Sequence, residues 1–201
     1  MRLFVAVPLD PPAREAVAGA IDALRRHPVL RAASIKWVEA RNLHLTLQFL
    51  GTLEADAATA AAAALTPVSA LPAFRAALGA FGVFPPRGAP RVIWVGVREG
   101  ARALGALRDE VARRLAPLGC IPEGQAYRPH LTVGRVRRGG SRLRAATTTA
   151  TAGSDLRQVA WCVGRAVLFE SRLSAAGPSY RVVTEMRLAG ARGPAAAAEG
   201  G

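Results

Sequence analysis

Lysine is almost missing from this chain. Lys36 is the only one among 27 basic residues, the rest being arginine, and acidic residues number 14, so the net charge is +13. Histidine is scarce as well, with three copies, and cysteine has two. Cys120 and Cys162 lie far apart, with no C-x-x-C spacing and no neighbouring histidine. That excludes a disulfide scaffold and a zinc ribbon, and the reading expects two reduced, buried thiols and no metal site. No apolar run approaches the ~20 residues that a membrane-spanning helix needs, which excludes that class. The opening Met1–Pro8 run is too short for the apolar region of a signal peptide and reads as a strand, so the cytoplasm is the expected location.

Hydrophobic residues make up 51% of the 201 residues, too many for a disordered polar chain and enough to bury a core. The pattern gives one domain over residues 1–189, with an Ala/Gly/Pro tail over 190–201 expected to be disordered. The arginine excess has two readings of equal weight. Together with runs such as Ala60–Ala64 it fits a GC-rich coding background, and it equally fits a surface that meets polyanions. Charge alone does not choose.

Strands and helices alternate along the chain. A β-type run over residues 2–9 closes at Asp10-Pro11-Pro12, a helix start with Asp10 as cap, and Val17, Ile21 and Leu24 then recur at helical spacing. A short strand is expected over 35–38, and strict two-residue alternation marks another over 43–50. An alanine-rich helix over 54–65 follows. The second half repeats the order: strands over 74–84 and 91–97, a helix over 101–118, and strands over 130–136, 159–173 and 180–188. Residues 137–153 are polar, glycine-rich and basic, and read as a mobile loop. The fold class is α+β, with mainly antiparallel sheets and helices packed outside.

Two of the three histidines open nearly the same tetrapeptide, His44-Leu45-Thr46-Leu47 and His130-Leu131-Thr132-Val133. Chance would place Leu-Thr after both on the order of once in ten thousand at ordinary residue frequencies. His27, beside Pro28, has no such company and suits the end of the first helix, where a cation is favoured. In a strand, residues two apart share a face, so each segment offers an imidazole and a hydroxyl side by side while its Leu or Val neighbours anchor it. Two such strands supply two imidazoles and two hydroxyls around one site. That set suits in-line displacement at phosphorus. One neutral imidazole deprotonates the nucleophile, an imidazolium protonates the leaving oxygen, and Thr46 and Thr132 donate to the non-bridging oxygens. A pKa near 6.5 lets both histidine forms exist at neutral pH, and the scheme calls for neither metal nor cofactor. Weaker candidates for substrate contact are Arg128, Lys36, Tyr127 and Arg135. Strict alternation from His130 places Arg135 on the opposite face, so it contributes only if the strand carries a bulge.

These motifs, with Arg2-Leu3-Phe4-Val5-Ala6-Val7, Lys36-Trp37-Val38, Asn42 to Gly51, Phe81 to Pro85, Tyr127 to Arg135, and Leu168 to Ser171 leading to Gly177-Pro178-Ser179-Tyr180, make the chain resemble the two-histidine phosphoesterases. Within them it is most similar to the RNA 2′,3′-cyclic phosphodiesterases of the LigT type. The resemblance implies a bilobal fold with pseudo-twofold symmetry and two sheets flanking a central cleft. It implies hydrolysis of an RNA 2′,3′-cyclic phosphate end to a 2′-phosphate, with His44 as proton donor to the 3′-oxygen and His130 as proton acceptor from water. It also implies reverse joining of RNA ends through 2′-5′ linkages. The expected partner is RNA, with no membrane or metal, and with no evident interaction segment a monomer is the default expectation. The residues leave three other readings: an enzyme for small cyclic nucleotides or ADP-ribose cyclic phosphate, a non-catalytic RNA-binding module, and two core strands with no active role.

Overall fold

A computed structural model of the chain describes residues 1–122, 126–174 and 177–191. Its first strand, β1 (Arg2–Pro8), sends Leu3, Val5 and Val7 into the main core and buries Phe4 and Ala6 on the other face. The chain then enters α1 (Pro11–Arg26), where Asp10 caps the helix by accepting from the Ala13 N–H at 2.9 Å, and two prolines occupy the first turn. Ala13, Val17, Ile21 and Leu24 form its buried stripe. A single turn, α2 (Pro28–Arg31), follows, and His27 sits between the two helices as expected for a capping position.

The next elements are β2 (Ser34–Trp37), β3 (His44–Thr52), α3 (Ala55–Leu65), β4 (Phe74–Phe84), β5 (Val92–Glu99) and α4 (Ala101–Leu115). The chain closes with β6 (His130–Arg138), α5 (Arg142–Ala150), β7 (Ala160–Val163), β8 (Arg165–Ser174) and β9 (Gly177–Arg187). All strand pairs are antiparallel, in the order β7-β4-β5-β6-β3-β1-β8-β9, with β2 alongside β6. The bilobal α+β plan is therefore present, and its two sheets are continuous. They join where Leu45 of β3 pairs with Leu131 of β6. The core unites these leucines with Val17, Leu65 and Leu107 of the helices, so the helices cover the face away from His44 and His130.

Three expectations are corrected. Residues 142–150 of the supposed loop form α5, because Leu143, Ala146 and Thr147 make a buried stripe. Its threonines turn their hydroxyls inward, with Thr147 donating to the Leu143 carbonyl at 2.8 Å and Thr148 to that of Arg144 at 3.2 Å. The supposed long strand over 159–173 is two strands on opposite sides of the sheet: β7 pairs with β4 and β8 with β1, the chain crossing over at Gly164. Cys162 is exposed, since it stands on the outer side of edge strand β7, while Cys120 is buried; both are free thiols. The expected loose tail lies, beyond Ala191, outside the described residues.

Gly100 shows how tightly α4 is joined to the sheet. Its φ is +84°, and a Cβ there would stand 2.6 Å from the Arg75 carbonyl oxygen. Left-handed backbone costs a side-chain-bearing residue about 1–2 kcal/mol, and here the added methyl also collides with main chain. Gly100→Ala should therefore lower the unfolding free energy by at least about 2 kcal/mol in a urea titration. A loss within the ordinary scatter of surface substitutions, about 0.5 kcal/mol, would contradict this account.

Candidate active site

The two histidine strands are built alike. β3 and β6 show the same succession of half-buried, buried and exposed residues at all nine positions. Both carry a bulge at the same place. On β3, Thr46 faces Ala6 but Gln48 faces Val5, which leaves Leu47 as the extra residue. On β6, Thr132 faces Trp94 but Gly134 faces Ile93, which leaves Val133 as the extra one. A bulge reverses the alternation beyond it. The fifth residue after each histidine thus returns to the histidine face: Phe49, 57% exposed, on β3, and Arg135, also exposed, on β6. This is the bend that Arg135 required.

The Leu45–Leu131 register sets the rest. The histidine and threonine of each strand flank this single pair, His44 and Thr46 on either side of Leu45 and His130 and Thr132 on either side of Leu131. Each imidazole therefore has one hydroxyl two residues along its own strand, and the second His-x-Thr segment lies across the join. All four side chains are half-buried, neither sealed in the core nor loose on the surface.

Each histidine is held by the backbone carbonyl two residues before it. His44 Nδ1 lies 2.7 Å from the Asn42 oxygen, and His130 Nδ1 lies 2.8 Å from the Arg128 oxygen. A carbonyl can only accept, so Nδ1 carries the hydrogen in both rings, and in the neutral ring Nε2 is the nitrogen with a free lone pair. Asn42, buried, in turn donates its Nδ2 to the Pro178 carbonyl at 2.9 Å and ties this corner to the start of β9.

The surroundings differ between the two. Phe4 lies 5.0 Å from the His44 ring, and Tyr180 meets it edge-on at 5.3 Å. Burial there pushes the His44 pKa below its usual value of 6.5; the contact with Asn42 opposes this, and the positive charge of Arg135 adds to it. His130 has Phe84 edge-on at 5.2 Å and Trp94 at 6.3 Å, and it opens onto a cavity of about 740 Å³.

Of the other candidates, Lys36 and Arg135 are direct partners in the β2–β6 register, and Lys36 Nζ reaches to 3.2 Å from where a side chain on Gly177 would begin. They form a cationic pair on the His44 side. Arg128 and Tyr127 belong instead to the cavity beside His130. The Tyr127 hydroxyl donates to the Thr46 carbonyl at 3.2 Å, and burial raises its pKa far above the ordinary tyrosine value, so it remains a donor. Its ring faces Arg108, whose guanidinium carbon stands 5.8 Å from the ring centre.

Sequence reasoning missed Asn42, Phe4, Tyr180, Phe84, Trp94, Phe49, Arg91 and Arg108 as parts of the site. For Asn42 a signal existed, since it holds the same position relative to His44 as Arg128 does to His130. Among the described residues, no three His, Cys, Asp or Glu side chains gather as metal ligands. No helix among them is long and apolar enough to cross a membrane.

A curled antiparallel sheet with paired His-x-Thr strands at its join defines a two-histidine phosphoesterase architecture. Residues 10–173 match the family model of the 2′-5′ RNA ligase superfamily. The chain belongs to that superfamily. An RNA 2′,3′-cyclic phosphodiesterase of Aquifex aeolicus is 38% identical over 162 residues, covering 77% of this chain and 82% of the relative. One of Thermotoga maritima is 29% identical over 191 residues, covering 94% and 97%. Among solved structures, TT0787 of Thermus thermophilus superposes with a TM-score of 0.76 at 26% identity, over 94% of this chain and 98% of that one. E. coli LigT complexed with 3′-AMP shares the fold, with a TM-score of 0.71 at 24% identity over 94% and 98%.

The depressed His44 pKa has a measurable sign. The unfolded chain binds a proton near pH 6.5, and the folded chain binds it at lower pH. Stability from neutral His44 is complete above 6.5 and is lost as the pH falls from there toward the folded value. Imidazole NMR titration should place the His44 midpoint below 6.5, and His44→Asn should flatten that part of the stability curve. A midpoint above 6.5 would overturn the burial account.

Proposed function

We propose that this protein hydrolyses the 2′,3′-cyclic phosphate at the 3′ end of RNA and leaves a 2′-phosphomonoester. The observation that carries this reading is the four-point arrangement of His44, Thr46, His130 and Thr132 across one strand join, with both Nδ1 atoms occupied by carbonyls. The relatives named RNA 2′,3′-cyclic phosphodiesterase support the choice of substrate.

His44 gives its proton to the departing 3′-oxygen, and His130 takes one from the attacking water through Nε2. The P–O3′ bond breaks as the new P–O bond forms, and the histidines exchange protonation states until solvent restores them. Thr46 and Thr132 donate to the non-bridging oxygens, where negative charge sits in the transition state. Lys36 and Arg135 hold the phosphate on the His44 side, and the charge of Arg135, with burial, favours neutral His44 while the site is empty. An arriving phosphate anion reverses that bias and loads the acid with its proton. Arg128 and Tyr127 shape the other flank. The scheme uses no metal, and residues 1–189 form the working unit, a cytoplasmic monomer.

The test is an oligonucleotide ending in a 2′,3′-cyclic phosphate, incubated with the protein in EDTA. The expected product is the 2′-phosphate; persistence of the cyclic end would sink the reading, and a requirement for added metal would sink its mechanism. His44→Ala and His130→Ala should each reduce kcat about 100- to 10,000-fold. Thr46→Val and Thr132→Val should each cost about a hundredfold. RNA binding that survives both histidine variants without any wild-type turnover would identify a binding module instead. A cyclic mononucleotide turned over better than the oligonucleotide would point to a small-molecule enzyme. Arg135→Ala should weaken binding of the oligonucleotide and reduce the slope of log affinity against log salt by about 0.7, the share of one phosphate contact on a single strand.

A further inference from the structure

Between Glu123 and Asp155 the chain holds six arginines and no acidic residue. Elsewhere arginines commonly meet carboxylates: Arg113 and Arg114 share Glu110 at 2.7 and 2.8 Å, and Arg172 and Arg181 share Glu170 at 3.0 and 2.8 Å. Within the stretch, Arg144 serves the fold, donating to the Pro85 and Gly88 carbonyls at 3.0 and 3.3 Å. Arg135, Arg137, Arg138 and Arg142 meet no carboxylate among the described residues. Like charges without counter-ions repel one another, and an anion lying among them relieves that repulsion.

Register decides where these cations stand. β6 carries a second bulge beyond the one that turns Arg135 outward. Ile35 of β2 faces Val136 but Ser34 faces Arg138, which leaves Arg137 as the extra residue. The alternation reverses again, and Arg138 returns to the face of Arg135. β2 agrees, since Ser34 and Lys36, two apart, share a face and are the partners of Arg138 and Arg135. Arg138 and Ser34 border a cavity of about 580 Å³, completed by residues at the end of α2 and by Arg142 at the start of α5. None of its described lining residues is acidic. Ser141, which opens α5, makes no side-chain cap bond, so the positive end of the helix dipole stands uncapped at the same rim.

We infer that this cavity binds the phosphodiester backbone of the RNA strand whose end is hydrolysed, several nucleotides upstream of the cyclic phosphate. The inference rests on the hydrolytic reading, in which O3′ departs toward His44. O3′ stays on its ribose when the P–O3′ bond breaks, so the terminal nucleoside and the strand behind it lie on the His44 side of phosphorus. Lys36 and Arg135 stand on that side, and β6 runs on from them beside β2 to Arg138. A strand rises about 3.3 Å per residue, so Arg138 lies about 25 Å along β6 from His130. Stacked nucleotides advance about 3.4 Å each, which puts the cavity at most about seven nucleotides from the cyclic end. The ligand is thus the repeated phosphate of a polynucleotide, and a mononucleotide at the reaction centre cannot span the distance.

Kinetics on a length series test this with the full chain, from a 2′,3′-cyclic mononucleotide to a dodecamer with a cyclic end. In the wild type KM should fall as the strand lengthens and level off by about seven nucleotides. Arg138→Gln combined with Arg142→Gln should raise KM for the dodecamer about tenfold. The same variant should turn over the mononucleotide within about twofold of wild type, which also reports an intact fold. Gly140→Asp should reproduce the loss, since a Cβ there meets nothing within 4 Å and the carboxylate brings negative charge to the cavity without steric cost. Equal rises in KM for mononucleotide and dodecamer, or a wild-type KM independent of length, would overturn the inference. Fluorescence anisotropy of a labelled dodecamer with a plain 3′-hydroxyl separates this site from the chemistry. Its Kd should rise about tenfold in the double variant, and the slope of log affinity against log salt should shrink by about 1.4, the share of two phosphate contacts on a single strand. An unchanged Kd would overturn the inference. Absence of any hydrolysis would instead refute the cyclic phosphodiesterase reading, and the anisotropy would still decide the role of the cavity.

Discussion

Leu45 and Leu131 face each other where β3 and β6 meet, and neither exposes any surface to solvent. The register between the two halves of the sheet consists of this one pair. Beyond it β3 leaves with β1, and β6 continues beside β2, so the sheet splits into the walls of a cleft whose floor is the join. A one-residue slip in a sheet sends every side chain to the other face. Burial of these two leucines under α1 and α4 therefore fixes which way the four polar groups point. The two His-x-Thr segments are brought together by the packing of hydrocarbon on the far side.

The paired bulges extend that constraint. Without an extra residue at Leu47 and Val133, the fifth residue after each histidine would point into the core, where neither Phe49 nor Arg135 could meet a substrate. With it, Gln48 and Gly134 turn inward. Gln48, only 3% exposed, donates its Nε2 to the Cys120 carbonyl at 2.7 Å and so fastens the segment that leads toward His130. Gly134 admits Trp37, since a Cβ there would come within 3.0 Å of the indole. The same backbone irregularity thus serves two ends: it re-aims a side chain toward the cleft and opens a docking point toward the core.

Much of this could be read from the residues, and the parts that could not share a physical cause. The helices α1 and α4 were legible because their sequences suit helix and their ends carry Asp10 with two prolines in the one and Gly119 in the other. The strands β3 and β6 were legible through their alternation, but the strict alternation expected over 43–50 fails after the fourth residue of β3, where the bulge buries Gln48 and exposes Phe49. A bulge is decided by the partner strand, through Val5 and Ala6 or Ile93 and Trp94, and so leaves no mark in the strand's own period. α5 was illegible for a related reason. Its Thr147-Thr148-Thr149 run and flanking glycines favour extended or irregular chain, and only burial of Leu143 and Ala146 with hydroxyls returned to the preceding turn makes it helical. The split between β7 and β8 was hidden because both halves of the run are apolar and period alone does not say which neighbour each will find. The aromatic partners of His44 and His130 come from β1, β9, β4 and β5, far away in sequence, and only the topology gathers them.

Two identical tripeptides end in unlike surroundings, and the difference arises entirely from those borrowed neighbours. Opposite Thr46 stands Ala6, whose single methyl leaves Phe4 room to lie against His44; opposite Thr132 stands Trp94, which stacks on Phe84 at 4.9 Å and keeps the rings near His130 to one side. One imidazole is therefore enclosed by rings beside Lys36 and Arg135, and the other borders an open chamber. Charge follows the same division. The +13 of the whole chain says little, because many of its arginines are spread over exposed helices and strand ends. The cations nearest the two histidines are a handful, with Lys36 opposite Arg135 on one flank and Arg91, Arg108 and Arg128 around the chamber on the other. A pseudo-symmetric frame can in this way perform an asymmetric reaction. In the proposed reaction the join supplies two equivalent acid–base groups, and the neighbouring strands decide which imidazole is shielded and which borders the open cavity.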